Sequence, residues 1–278
     1  METDIHTLGS KGLVNIPYPP DLRRGIENAV AMWQKFCTLP EEIKMKFPYQ
    51  ADTVTGAGYE LKKVPGATLD LKENFQFDLE AKDWCLEEAR KIGNPTISAF
   101  VNELTSLVEV MKPTVLSFAQ EVEREYVVKD FGKEITENPK NWVIRFLHYF
   151  GGAKPGEEIA KAHSDKSGFT LHLYESDPGL QYLDREYHWQ DMPVSTGETA
   201  IIPGMRMQYR SEGRLKATCH RVVATPETAQ RGRFSAVAFI HPGSGTPQYN
   251  KEGAGRLQEF KPGFNYEMPF EEFAKLFK

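Results

Sequence analysis

The stretch AHSDKSG, residues 162–168, sets a histidine and an aspartate two positions apart among small and polar residues. Of the seven histidines only His163 is followed at that spacing by a carboxylate, Asp165. In an extended segment successive side chains alternate faces, so His163 and Asp165 point the same way and can reach one ion. The bland alternative is a loop histidine beside an aspartate-containing turn. A metal would need a third ligand from elsewhere, and the β-like run ATCHRVVATP supplies His220. By itself a histidine in a strand is a satisfied core residue. A competing pair, Glu186-x-His188, lies in LDREYHW, which reads as a hairpin turn between strands.

Working outward, the pattern around this stretch is short runs of β-branched and aromatic residues separated by Gly, Pro and Asp. WVIRFLHYF, GFTLHLY, GLQYL, TAIIP, CHRVVA and RFSAVAFI all lie beyond Trp142. Closely spaced strands of this kind predict a sandwich or barrel. The part before them reads as helical. DLRRGIENAVAMWQKFCTL (21–39) places Ile26, Ala29, Val30, Trp33 and Phe36 on one stripe, with Asp21 as the expected N-cap. LPEEIKMKF adds another helical turn, and residues 51–80 read as an irregular loop followed by a strand. A helical period then runs over residues 94–126, with a kink expected at Pro113. PFEEFAKLFK predicts a short closing helix.

A second trace is GRFSAVAFI. Alternation puts Arg233, Ser235, Val237 and Phe239 on one face. A buried arginine is costly unless it meets an anion. Alone, this run reads as an edge strand with a solvated arginine or a structural ion pair. Beside His163, Asp165 and His220 it becomes a carboxylate anchor for an organic cosubstrate on the metal. Two histidines and one carboxylate with open positions opposite make the facial set of non-haem Fe(II) oxygenases. Imidazole suits Fe(II), and the carboxylate offsets one charge.

The bulk numbers narrow the field. With 278 residues the chain can bury a sizeable core as one large domain or two small ones. A hydrophobic fraction of 40% and a charged fraction of 26% are ordinary for a globular protein. A net charge of −5 gives no footprint for nucleic acid or an acidic membrane surface. Cys37, Cys85 and Cys219 form no disulfide or zinc-finger pattern, so a reducing, cytoplasmic setting is expected. The opening METDIHTLGSKGLVNIPYPP lacks the pattern of a secretory signal, and no run approaches the roughly 20 apolar residues of a membrane span.

Taken together, these residues resemble the Fe(II)/2-oxoglutarate-dependent dioxygenases in their isopenicillin N synthase-like branch. His163-Ser164-Asp165, then His220, then Arg233-Phe234-Ser235 match that family in order and approximate spacing. LPEEIKMKF, DLKENFQF (70–77), VIRFLHYF, GLQYL and HRVV add matches along most of the chain. The resemblance implies a mainly β fold with α-helices: a distorted double-stranded β-helix (a jelly roll, cupin-like) flanked by N-terminal helices. It implies a single domain over 1–278, with a mainly helical part at 1–135, a jelly-roll core at 136–245 and a tail at 246–278. It implies Fe(II) on His163, Asp165 and His220, and the distal carboxylate of 2-oxoglutarate on Arg233, Ser235 and Tyr149, with His148 taking the place of Tyr149 if the register slips by one. Phe239 would line the substrate side.

The implied reaction uses O2 to hydroxylate or desaturate a small molecule, releasing succinate and CO2, with ascorbate as an auxiliary reductant. The substrate and the oligomeric state are not readable. Gly56 to Tyr59, Arg206, Arg210 and PGFNYEMPF are candidates for the pocket mouth. This sequence departs from the family in a short or missing first strand, in NIPYPP where an Asn-His-Gly turn is usual, and in Gly204-Met205 where Gly-Asp is usual. Three other readings stay open: a same-fold Fe(II) oxidase without 2-oxoglutarate, a non-catalytic metabolite-binding module, and a structural jelly roll in which the site is a coincidence.

Overall fold

The computed structural model describes residues 4–50, 56–62, 71–137, 142–195, 197–242 and 271–272. The chain enters through a helical turn α1 (Thr7–Ser10) and a short strand β1 (Val14–Pro17). The long helix α2 (Pro20–Cys37) and the turn α3 (Glu41–Lys44) follow. Then come β2 (Gly58–Lys62), β3 (Lys72–Asp78), α4 (Lys82–Ile92), α5 (Pro95–Tyr126) and α6 (Phe131–Glu137). The remaining strands are β4 (Trp142–Tyr149), β5 (Glu158–Ser164), β6 (Phe169–Glu175), β7 (Leu180–Leu183), β8 (Trp189–Asp191), β9 (Glu198–Pro203), β10 (Cys219–Val223) and β11 (Arg233–Ile240). Two short helices, α7 (Met205–Arg210) and α8 (Pro226–Arg231), flank β10.

The strands form two antiparallel sheets. Seven lie in the order β1-β9-β6-β11-β4-β3-β2 and four in the order β5-β10-β7-β8. Alternation divides each strand between two cores. On β4 and β11, Trp142, Ile144, Phe146, Ala236, Ala238 and Ile240 face the helices. Leu147, Tyr149, Val237 and Phe239 face the small sheet, packing with Ile159, Ala160, Leu180 and Val222. This is the jelly roll expected, with helices covering its larger sheet. Trp33 of α2 joins the helical layer to the sheet. Its ring lies 5.6 Å from Phe100 and 6.3 Å from Phe146, and its indole N–H donates to the Leu147 carbonyl at 3.3 Å. Burying each such aromatic contributes on the order of 1.5–3 kcal/mol.

Local signals explain most boundaries. Asn94 caps α5, its side chain accepting from Thr96 and Ile97 N–H, and α5 continues through Pro113. Gly93, at φ 69°, ends α4 in the left-handed conformation that glycine adopts without strain. Asp21 is not the N-cap of α2. The cap lies two residues earlier, because Pro20 has its φ preset and needs no N–H partner; Pro19 holds the cap position, and Asp21 pairs with Arg24 at 2.5 Å. β2 arises inside a stretch that reads as loop, because β3 offers it a partner from Gly58↔Gln76 to Lys62↔Lys72. The first strand is present but short, with β1 pairing β9 over four residues. The closing helix expected over 269–278 falls almost wholly outside the described residues.

Candidate metal centre

His163 and His220 are direct cross-strand partners on β5 and β10, with ring centroids 4.4 Å apart. Asp165 follows the end of β5, where the chain leaves the small sheet for β6. Its Oδ1 lies 3.6 Å from His163 Nε2 and its Oδ2 3.8 Å from His220 Nε2. One ligand atom from each of the three lies within 4.8 Å of the others. These separations are too long for hydrogen bonds and leave room for an ion between the groups.

The backbone prepares the rings. His163 Nδ1 lies 2.7 Å from the Lys161 carbonyl, and His220 Nδ1 lies 3.5 Å from that of Thr218. A carbonyl only accepts, so each Nδ1 carries a hydrogen and each Nε2 turns toward Asp165. Burial holds the His220 imidazole down at about 3 against the opposing pull of Asp165, so it is neutral and available as a ligand. Burial acts to raise the Asp165 carboxyl. The His220 and His163 rings and the Thr170 hydroxyl, which donates at 2.7 Å, outweigh it and keep the group below the usual range.

The turn carrying Asp165 is clamped as well. Met205 N–H donates to the Asp165 carbonyl at 2.7 Å. A Cβ on Gly204 would meet the Ser167 carbonyl oxygen at 2.2 Å, so only glycine fits there. The Gly204-Met205 pair therefore serves the metal corner through its backbone. Two imidazoles and a carboxylate with unspent lone pairs form a donor set suited to Fe(II).

Arg233 opens β11 opposite Tyr149 of β4 and is 1% exposed. Its Nη2 donates to the Glu175 carboxylate and, at 2.9 Å, to the Asp177 carbonyl. Its Nε and Nη1 are buried with no hydrogen-bond partner among the described residues. Two orphaned donors in a dry interior cost free energy, and a ligand oxygen would satisfy them. The residues thus fit an incoming carboxylate oxygen, with Glu175 already on Nη2, the nitrogen common to both two-donor edges of the fork. Glu175 Oε1 also lies 3.5 Å from Nδ1 of His172, whose ring sits edge-on to His220 at 5.5 Å. Neither His172 nitrogen makes a hydrogen bond among the described residues.

The other residues singled out from sequence divide clearly. Tyr149 lies on the inner face with Arg233, whereas His148 faces the helices, its Nδ1 2.8 Å from Glu73. Ser235 is buried opposite both Leu147 and Glu175. Phe239 lies on the inner face with the Arg145 guanidinium 5.2 Å over its ring. Glu186 and His188 sit in the exposed turn between β7 and β8, which removes them as a rival pair. Arg210 pairs with Glu134 and the Lys129 carbonyl, bracing α7 against α6. Arg206 donates to the Pro242 carbonyl at 3.2 Å. Tyr59 is buried with its hydroxyl 2.7 Å from Glu73. The PGFNYEMPF segment lies outside the described residues.

Sequence reasoning missed Thr170, His172 and Glu175. Thr170 and His172 share a face by simple alternation and were within reach of that argument. Glu175 was not, because the register between β11 and β6 shifts between Ala236 and Val237. This irregularity turns Glu175, three residues after His172, to the same side.

Comparison with known proteins agrees with the site. The family model of the 2OG-Fe(II) oxygenase superfamily matches residues 141–242, which contain all three candidate ligands and the Arg233 strand. The chain is 25% identical over 262 residues to 1-aminocyclopropane-1-carboxylate oxidase 1 of Cucumis melo, covering 77% of this chain and 79% of that one. It is 25% identical over 240 residues to flavonol synthase/flavanone 3-hydroxylase of Arabidopsis thaliana, covering 83% and 67%. Its fold matches a protein of Caulobacter crescentus assigned to the 2OG-Fe(II) oxygenase family, with a TM-score of 0.68 and 26% identity over 86% of this chain and 80% of that one. With two sheets closing a jelly roll over a His-x-Asp and a distant histidine, residues 141–242 match the 2OG-Fe(II) oxygenase superfamily in sequence and in fold.

Proposed function

We propose that the chain is an oxidoreductase that uses non-haem Fe(II), O2 and 2-oxoglutarate to hydroxylate or desaturate a small molecule. The observation that carries this reading is the convergence of His163, Asp165 and His220 in the same inner space as a buried arginine with two unpartnered donors. His163, Asp165 and His220 hold the ion. Arg233 takes the distal carboxylate of 2-oxoglutarate, and Ser235 and Tyr149 on the same inner face contribute hydroxyl donors. Bound together, Fe(II) and 2-oxoglutarate supply the oxidation of an unactivated C–H bond by O2, with succinate and CO2 released.

The chain's own part is placement. The carbonyls of Lys161 and Thr218 orient the two imidazoles, Thr170 holds the carboxylate, and the inner core around Leu147, Val237 and Phe239 excludes water. The whole chain works as one domain, since β1, β2 and β3 from its N-terminal part extend the seven-stranded sheet. Among the described residues no helix is long and apolar enough to cross a membrane. A reducing cytoplasm suits Cys37, Cys85 and Cys219, which are all free thiols.

A second reading, a same-fold Fe(II) oxidase that needs no 2-oxoglutarate, is favoured by one feature. The Glu175 carboxylate already occupies part of Arg233. The two readings separate in a simple assay. Purified protein with Fe(II), ascorbate and O2 is expected to turn 2-oxoglutarate slowly into succinate with no primary substrate present. Succinate at the no-enzyme background, with the metal shown to be bound, would favour the oxidase or the metabolite-binding reading.

A further inference from the structure

The seat that Arg233 offers is not empty of charge. A guanidinium presents five N–H donors in a rigid fork. Here Nη2, which belongs to both two-donor edges of the fork (with Nε and with Nη1), is held by Glu175 and the Asp177 carbonyl, while Nε and Nη1 are buried with no partner among the described residues. A carboxylate can take two parallel N–H bonds from Arg233 only where Glu175 gives up Nη2, and one arriving beside Glu175 would share one positive charge with a second carboxylate in a buried site, where like charges repel strongly. His172, with both ring nitrogens unbonded and Nδ1 3.5 Å from Glu175, is the neighbour toward which the Glu175 side chain can turn away. The placement is built by the backbone: the register shift in the β11–β6 pairing is what aims Glu175 inward.

We propose that Glu175 is an internal competitor for the carboxylate seat on Arg233, and that it sets how tightly the site takes a dicarboxylate cosubstrate. The proposal rests on the assignment of Arg233 as the cosubstrate anchor. It makes Glu175 a residue that tunes ligand affinity, and it assigns Glu175 no contact with the metal.

The test is anaerobic calorimetric titration of Fe(II)-loaded protein with 2-oxoglutarate, for wild type, Glu175→Gln and Glu175→Ala. Both variants are expected to bind 2-oxoglutarate on the order of tenfold more tightly, a change of about 1.4 kcal/mol. Their Fe(II) affinity should match wild type, which also shows that the site has folded. Adding Arg233→Ala to Glu175→Gln should abolish the gain, because the competition acts through Arg233. If wild type binds 2-oxoglutarate and both Glu175 variants bind it no more tightly, Glu175 is a structural partner of Arg233 and the proposal is overturned while the cosubstrate reading stands. If 2-oxoglutarate binds to none of the Fe(II)-loaded proteins, the cosubstrate reading falls and the proposal falls with it. Binding to the variants alone would be the strongest support for competition.

Discussion

Two clusters of histidine and carboxylate lie on opposite faces of the seven-stranded sheet, and both have the spacing of a metal site. His163, Asp165 and His220 face the inner space; Cys37, Glu73 and His148 lie under the helices. They differ in what the carboxylate already holds. Glu73 accepts from Lys44 Nζ at 2.5 Å, from the Tyr59 hydroxyl at 2.7 Å, and faces His148 Nδ1 at 2.8 Å. Burial pushes the Glu73 carboxyl up, but those hydrogen bonds and the Lys44 charge hold it at about 2. Burial and the neighbouring Glu73 push the Cys37 thiol up, so no thiolate is on offer. The Lys44 ammonium already supplies the positive charge that Glu73 would otherwise offer to a metal ion. Among the described residues no lysine or arginine pairs with Asp165, which faces the His163 and His220 rings and accepts from Thr170. Ligand spacing alone does not separate the two clusters; what separates them is whether an ammonium already pairs with the carboxylate.

The sharpest way to break this comparison is to remove ligands from both clusters. Asp165→Ala and His220→Ala should each weaken Fe(II) binding by more than about 100-fold, since a three-ligand site has no spare and even indirect partners of a ligand are worth about 10–100-fold. Cys37→Ser and His148→Ala should leave the Fe(II) Kd unchanged in competition against a chelator. Tight Fe(II) binding that survives Asp165→Ala would mean the wrong cluster has been chosen.

A smaller effect is expected in stability. Lys44→Met strands a buried carboxylate and should cost about 3–5 kcal/mol in urea unfolding, the range for breaking one side of a buried pair. The Glu73 contribution is fully present above the ordinary glutamate range near pH 4.5 and is lost as the pH falls toward about 2. Glu73→Gln should flatten that acid dependence. An unchanged acid limb in the variant would show that other groups govern it.

The sequence made some of this legible and hid the rest for physical reasons. His163 and Asp165 stand out because the two-residue period of a strand is the same period that brings two ligands to one ion. Arg233 shares its face with Ser235 and Phe239 by the same rule, and Tyr149 lands beside Arg233 through the β4–β11 register. LPEEIKMKF and DLKENFQF read as separate matches; the fold joins them through Lys44 and Glu73, a contact between residues 29 positions apart that local pattern cannot disclose. Glu175 was hidden because an irregular strand pairing breaks the alternation from which faces are read. The extent of β2 was hidden because its strand character comes from its partner β3, and its own residues do not signal it.

In the proposed function a single inner space holds Fe(II) on the His163–Asp165–His220 corner and 2-oxoglutarate between that corner and Arg233. Anaerobic visible spectroscopy tests it directly. Protein with both Fe(II) and 2-oxoglutarate should develop a weak charge-transfer band that neither gives alone. Asp165→Ala should lose the band, and Arg233→Lys, which replaces a fork with a point charge, should need about 10- to 100-fold more 2-oxoglutarate to reach it, from the loss of about 1.5–3 kcal/mol in a charge-assisted hydrogen bond. If Fe(II)-loaded wild-type protein shows no such band at saturating 2-oxoglutarate, the claim is wrong.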